Sequence, residues 1–123
     1  MSVSVCLCLS LSAFSSFKHV HLERSDPSAQ ATLAAAPGAI RLWFSAPVQV
    51  GITTIHLTSA AGQAIETARP HQGEGADAPV IAEVRGALPA GAFQVSWRTM
   101  SRDGHVVSGA FAFSVAAPPA RGR

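Results

Sequence analysis

Cysteine is absent from residue 9 onward; both cysteines of the 123-residue chain, Cys6 and Cys8, stand within its first ten positions. The body of the chain therefore holds no disulfide, no thiolate metal ligand and no thiol nucleophile. Tyrosine is missing altogether, and the aromatic residues are six Phe and two Trp. Charge is scarce: Asp, Glu, Lys and Arg make up 13% of the residues, and the formal net charge of +2 is scattered. That pattern excludes the Lys/Arg stripe of a nucleic-acid binder. It also gives little long-range steering, which points to a small ligand. No stretch shows helical periodicity over ten residues. None after the first 18 approaches the about twenty apolar residues that a membrane helix requires, so the domain is not expected to insert into a bilayer.

The first 18 residues differ from the rest. Val3 to Phe14 is apolar and rich in small residues, the size of an export-signal core and too short to span a bilayer. No Lys or Arg precedes it, and Lys18 stands where a small residue usually precedes cleavage. Val3, Val5, Leu7, Leu9 and Leu11 also alternate with Ser and Cys, which is the period of a strand. We read residues 1–18 as an export leader, residues 19–115 as one domain and residues 116–123, with Pro118-Pro119 and Arg-Gly-Arg, as a disordered tail.

The domain reads as short β-like runs between turn signals. Leu22 to Ser25 stops at Asp26-Pro27, and Ala34 to Gly38 is a small-residue linker. Ile40, Leu42 and Phe44 share one face, and Val50 to Thr58 follows Pro47 as a β-branched run. Ala64 to Arg69, Val80 to Val84, Phe93 to Trp97 and Gly109 to Val115 complete seven strands, with His71 to Ala78 as a flexible loop. Seven strands over roughly a hundred residues predict an all-β, Ig-like Greek-key sandwich or barrel. Its inward faces are expected to be Ile40/Leu42/Phe44, Ile55/Leu57, Phe93/Val95/Trp97 and Phe111/Phe113/Val115.

Five histidines carry most of the available chemistry. His56 lies between Ile55 and Leu57 and should face solvent, while His71 belongs to the polar loop. His105 closes the turn Asp103-Gly104-His105, where a carboxylate and an imidazole two residues apart can point the same way. Such oxygen and nitrogen donors suit Cu(II) or Zn(II), although an Asp-Gly-His turn can equally be only a turn. If the leader is cut after Lys18, His19 becomes the mature terminus and offers both its α-amine and its ring to one metal ion. With His105 and Asp103 it would complete three nitrogens and one oxygen, a tetragonal Cu(II) set. His21, then third in the chain, offers another mode: amine, two backbone amides and its ring around a square-planar ion.

His19-Val20-His21-Leu22-Glu23-Arg24-Ser25-Asp26-Pro27 resembles the mature start of the CopC copper-resistance family, His-x-x-Leu-x-x-Ser-x-Pro. Ala36-Pro37, Ile40 to Ser45, Leu88-Pro89-Ala90-Gly91 and Trp97-Arg98-Thr99-Met100-Ser101-Arg102-Asp103-Gly104-His105 resemble later segments of that family. The resemblance runs from His19 to Val115. It implies a small periplasmic β-barrel or sandwich that binds copper, with His19, Asp103 and His105 as its Cu(II) ligands. Some family members also bind Cu(I) through a Met-rich loop; only Met1 and Met100 occur here, so that site is expected to be missing. The implied role is a non-enzymatic copper carrier or buffer in copper homeostasis and resistance. Its implied partners are copper and a membrane copper transporter on a separate chain. Two other classes remain open at this point. A terminal-histidine copper site on a β-sandwich also resembles lytic polysaccharide monooxygenases, and a metal-free Ig-like module would show no response to copper.

Overall fold

Alternation of apolar and polar residues, with turns too short for crossover helices, leaves the chain only antiparallel hairpins and sheet-to-sheet connections to bury its apolar faces. The computed structural model describes residues 19–117. The expected leader, and the expected tail beyond residue 117, lie outside the described residues. Among the described residues nine strands occur in the order Leu22–Asp26 (β1), Thr32–Leu33 (β2), Ala39–Phe44 (β3), Thr54–Ser59 (β4), Ala64–Ile65 (β5), His71–Gln72 (β6), Val80–Glu83 (β7), Gly91–Met100 (β8) and Val106–Val115 (β9). They form a four-stranded sheet, β1-β3-β7-β6, and a five-stranded sheet, β2-β9-β8-β4-β5.

The all-β, two-sheet reading agrees with this arrangement, and several boundaries move. Three of the nine strands are two residues long. Val50–Ile52 is a 3-10 turn rather than the start of a strand, and β4 begins only at Thr54. The His71–Ala78 stretch is not wholly loop: His71 and Gln72 pair with Ile81 and Val80. His71 Nε2 lies 2.7 Å from Glu83 Oε1. That contact raises the His71 pKa and lowers that of Glu83, through the shared hydrogen bond above all.

The core lies between the sheets. Ile40, Leu42, Val80 and Ala82 come from one, and Ile55, Leu57, Phe93, Val95, Trp97, Phe113 and Val115 from the other. Phe44 and Phe111 are only half-buried at its rim. Phe93 and Phe113 stand opposite each other in the β8–β9 ladder and stack with centroids 5.6 Å apart. Trp97 stands opposite Gly109, where an added Cβ would lie 2.6 Å from the indole Cζ2. The glycine thus makes room for the ring, whose edge also meets Phe44 at 5.2 Å. Among the described residues one pair of polar side chains is buried together: the Thr53 hydroxyl donates to the Gln49 carbonyl at 2.9 Å and accepts from Thr99 Oγ1 at 2.7 Å.

Two features of this frame position the histidines. The long β8–β9 hairpin carries the Ser101–His105 turn at one end. The N-terminal segment is fixed beside that end. Val20 is buried in the core, the His21 N–H donates to Ser45 Oγ at 3.0 Å, and the Ser45 N–H donates to the His21 carbonyl at 2.8 Å.

Candidate metal centre

The turn is built around Ser101. This buried residue donates its N–H to the His105 carbonyl at 2.9 Å, and its own carbonyl accepts from the Gly104 N–H at 3.0 Å. Gly104 has φ of 91°, a left-handed conformation that a Cβ would resist. The Ser101 hydroxyl accepts from the His105 N–H at 3.1 Å and donates to Asp103 Oδ1. From outside the hairpin, Gln49 Nε2 donates to the Ser101 carbonyl at 3.0 Å. A loop tip that would otherwise fray is thereby tied to the body of the protein.

The same bonds orient the two exposed side chains of the turn. Asp103 Oδ2 lies 2.9 Å from His105 Nδ1. Hydrogen bonds from Ser101 first, and from His105 second, hold the Asp103 carboxyl down at about 2 against an ordinary value of 3.8. It is therefore a carboxylate, which only accepts hydrogen bonds, so Nδ1 carries the proton. The lone pair of the neutral ring then sits on Nε2. A carboxylate behind a histidine in this way is a common means of presenting the other ring nitrogen to a metal.

His19 reaches this turn from the opposite end of the domain. Its ring meets that of His105 edge-on, with centroids 5.5 Å apart and planes at 90°. The structure thus brings together all three residues singled out from the sequence: His19 with His105, and His105 with Asp103. His21, two residues on, is exposed and has its backbone held by Ser45. His56 faces solvent on β4, and His71 pairs with Glu83. Among the described residues no three side chains of His, Cys, Asp or Glu form a ready-made metal cage. The donors available at the turn are two imidazoles and a carboxylate already hydrogen-bonded at both oxygens. The donor chemistry fits Cu(II), provided that a third nitrogen comes from the main chain of His19. Two residues that organise the centre escaped the sequence reading as actors, Ser101 and Ser45. The first lies inside the Trp-Arg-x-x-Ser-x-Asp-Gly-His motif and the second directly follows the alternating run of β3, but neither carries metal chemistry of its own.

The CopC domain family model matches residues 22–116. The chain belongs to the CopC domain family. This CopC domain is 34% identical over 109 residues to protein YobA of Escherichia coli strain K12, covering 89% of this chain and 88% of that protein. Among solved structures it resembles CopC from Methylosinus trichosporium OB3b, with a TM-score of 0.69 and 27% identity, covering 85% of this chain and 100% of that one. It also resembles PcoC, a methionine-rich copper resistance protein from Escherichia coli, with a TM-score of 0.67 and 31% identity over 79% of this chain and 98% of that one. The methionine richness is not shared, since this CopC domain has only Met100 between His19 and its C-terminus. The family match contains Asp103 and His105 but begins after His19. Among the described residues no helix is long and apolar enough to cross a membrane.

Proposed function

We propose that this chain is a periplasmic Cu(II)-binding protein of copper homeostasis and resistance, a carrier or buffer rather than an enzyme, and that His19, Asp103 and His105 hold the ion. The observation that carries this reading is the edge-on approach of His19 to His105 at 5.5 Å, with Asp103 fixing the tautomer of His105. Family membership supports copper as the cargo. The oxidation state follows from donor chemistry: imidazole, amine and carboxylate favour Cu(II), whereas Cu(I) prefers thioethers, of which the domain has only that of Met100. His19 would contribute its amine and ring together, and His105 its Nε2. Asp103, already held by Ser101 and His105, would be the weakest of the ligands, orienting the His105 ring and lending its negative charge as well.

Export with cleavage after Lys18 is part of the proposal, because only then does His19 have a free amine. A membrane copper transporter is the proposed recipient, the kind of partner to which a carrier would hand its ion. The test compares two otherwise identical chains, one starting at His19 and one starting Gly-His19. The added residue turns the amine into an amide, which coordinates only after losing a proton. Cu(II) should bind the extended chain at least tenfold more weakly, a difference of about 1.4 kcal/mol or more. Paramagnetic resonance should show fewer nitrogen ligands. Equal affinities and spectra in the two chains would overturn the terminal site.

A further inference from the structure

Ser45 holds His21 by both of its main-chain groups. The His21 N–H donates to the Ser45 hydroxyl at 3.0 Å, and the His21 carbonyl accepts from the Ser45 N–H at 2.8 Å. Val20, the residue before, has its side chain buried in the core. The His21 ring is exposed. They bear on a second way in which the N-terminal residues, His19, Val20 and His21, can bind copper.

A chain with a free amine and histidine in third position can wrap a Cu(II) or Ni(II) ion in one plane. The ligands are the amine of the first residue, the amide nitrogens of the second and third, and the ring of the third. Each amide nitrogen gives up its proton to solvent as it takes the metal, so it can no longer donate a hydrogen bond elsewhere. In this fold the His21 amide is already committed to Ser45. Closing the plane would break that bond and pull Val20 out of the core. It would also draw the His19 amine away from His105, so the two modes exclude each other.

We propose that His19-Val20-His21 is a latent planar Cu(II) and Ni(II) site, and that Ser45 keeps it closed in the folded protein, directing copper to His19 and His105. This rests on the reading of His19 as the mature terminus. The latent site opens whenever the segment leaves β3, and fully when the chain unfolds. Copper then binds the unfolded chain as well as the folded one, and so stabilises the fold less than its affinity for the folded site implies.

The test uses the whole chain starting at His19, with one equivalent of Cu(II), followed by paramagnetic resonance, visible absorption and thermal melting. Unfolding the parent in urea should convert its spectrum to that of a planar four-nitrogen complex, with the visible band moved to shorter wavelength. His21→Ala should lack that conversion, and copper should raise its Tm by more than it raises the parent's. Ser45→Ala, folded by circular dichroism, should show a planar fraction several-fold above the parent's without urea, and Ser45→Thr should restore the parent spectrum. Identical spectra for unfolded parent and His21→Ala would overturn the latent site. A folded Ser45→Ala protein with the parent spectrum would overturn the role of Ser45. If Ser45→Ala does not fold, the urea and melting comparisons of His21→Ala still decide whether the latent site exists. Failure of the terminal reading looks different: chains starting at His19 and at Gly-His19 would then match in the folded state too.

Discussion

His105 and Asp103 divide the work of the turn according to what each atom already does. Nδ1 of His105 is occupied by Asp103 at 2.9 Å, so a metal can use only Nε2. Ser101 and His105 depress the Asp103 carboxyl to about 2. The sign follows: a folded pKa below the unfolded one means a stabilising contribution that is complete above about pH 4 and is lost as pH falls through about 2. Throughout the range in which imidazole can bind metal, Asp103 is therefore charged and orienting. His105→Ala should remove a nitrogen ligand and lower Cu(II) affinity by a hundredfold or more, with the urea midpoint changed little because the ring is exposed. Asp103→Ala removes the orienting group and should cost about 10–100-fold, as outer-shell partners of metal-binding histidines do. Isothermal titration of both variants with Cu(II) checks the order. A parent-like His105→Ala protein would reduce the Asp-Gly-His motif to a turn.

The β8–β9 hairpin is the element on which the centre depends. Its ladder runs from Gly91 opposite Val115 to Met100 opposite Val106, so an error at any rung would be transmitted to the Ser101–His105 turn. Gly109 is a tightly constrained rung, because the Trp97 indole fills the space where its side chain would be. Neither Trp97 nor its backbone can yield without disturbing the Phe44 edge contact or the ladder itself. Gly109→Ala should therefore destabilise the fold by about 1–3 kcal/mol, the usual cost of overpacking a filled core. The measurement is urea unfolding without copper, followed by indole fluorescence. A ΔΔG within the noise would show that the ring has room to move.

At the scale of the whole molecule, the centre joins the two ends of the domain. His19 arrives with the four-stranded sheet, through β1, β3 and Ser45, and His105 with the five-stranded sheet. The available set is nitrogen-rich with one carboxylate and no thiolate, and Cu(II) exceeds Zn(II) on such ligands in the general order of divalent metals. Competition titration of the chain starting at His19 should give Cu(II) the tighter complex, and Cu(I) a weak one for want of methionine. Zn(II) binding as tight as Cu(II), or a tight Cu(I) complex, would refute the proposed donor set.

Alternation of apolar residues determined the strands and their inward faces, because a period of two in Ile40/Leu42, Phe93/Val95/Trp97 and Phe113/Val115 admits only one buried side. The motifs around His19 and Asp103-Gly104-His105 singled out the residues for which metal binding is proposed. The short pairings of β2 and β6 and the 3-10 turn at Val50–Ile52 were not legible, since so few residues hold no period and owe their shape to neighbours distant in sequence. Sequence alone favoured His19 as a copper ligand and left open whether His21 joins it. Only the tertiary structure separated them, because a hydrogen bond from His21 to Ser45 and the burial of Val20 depend on β3 lying alongside, while His19 is left to meet His105.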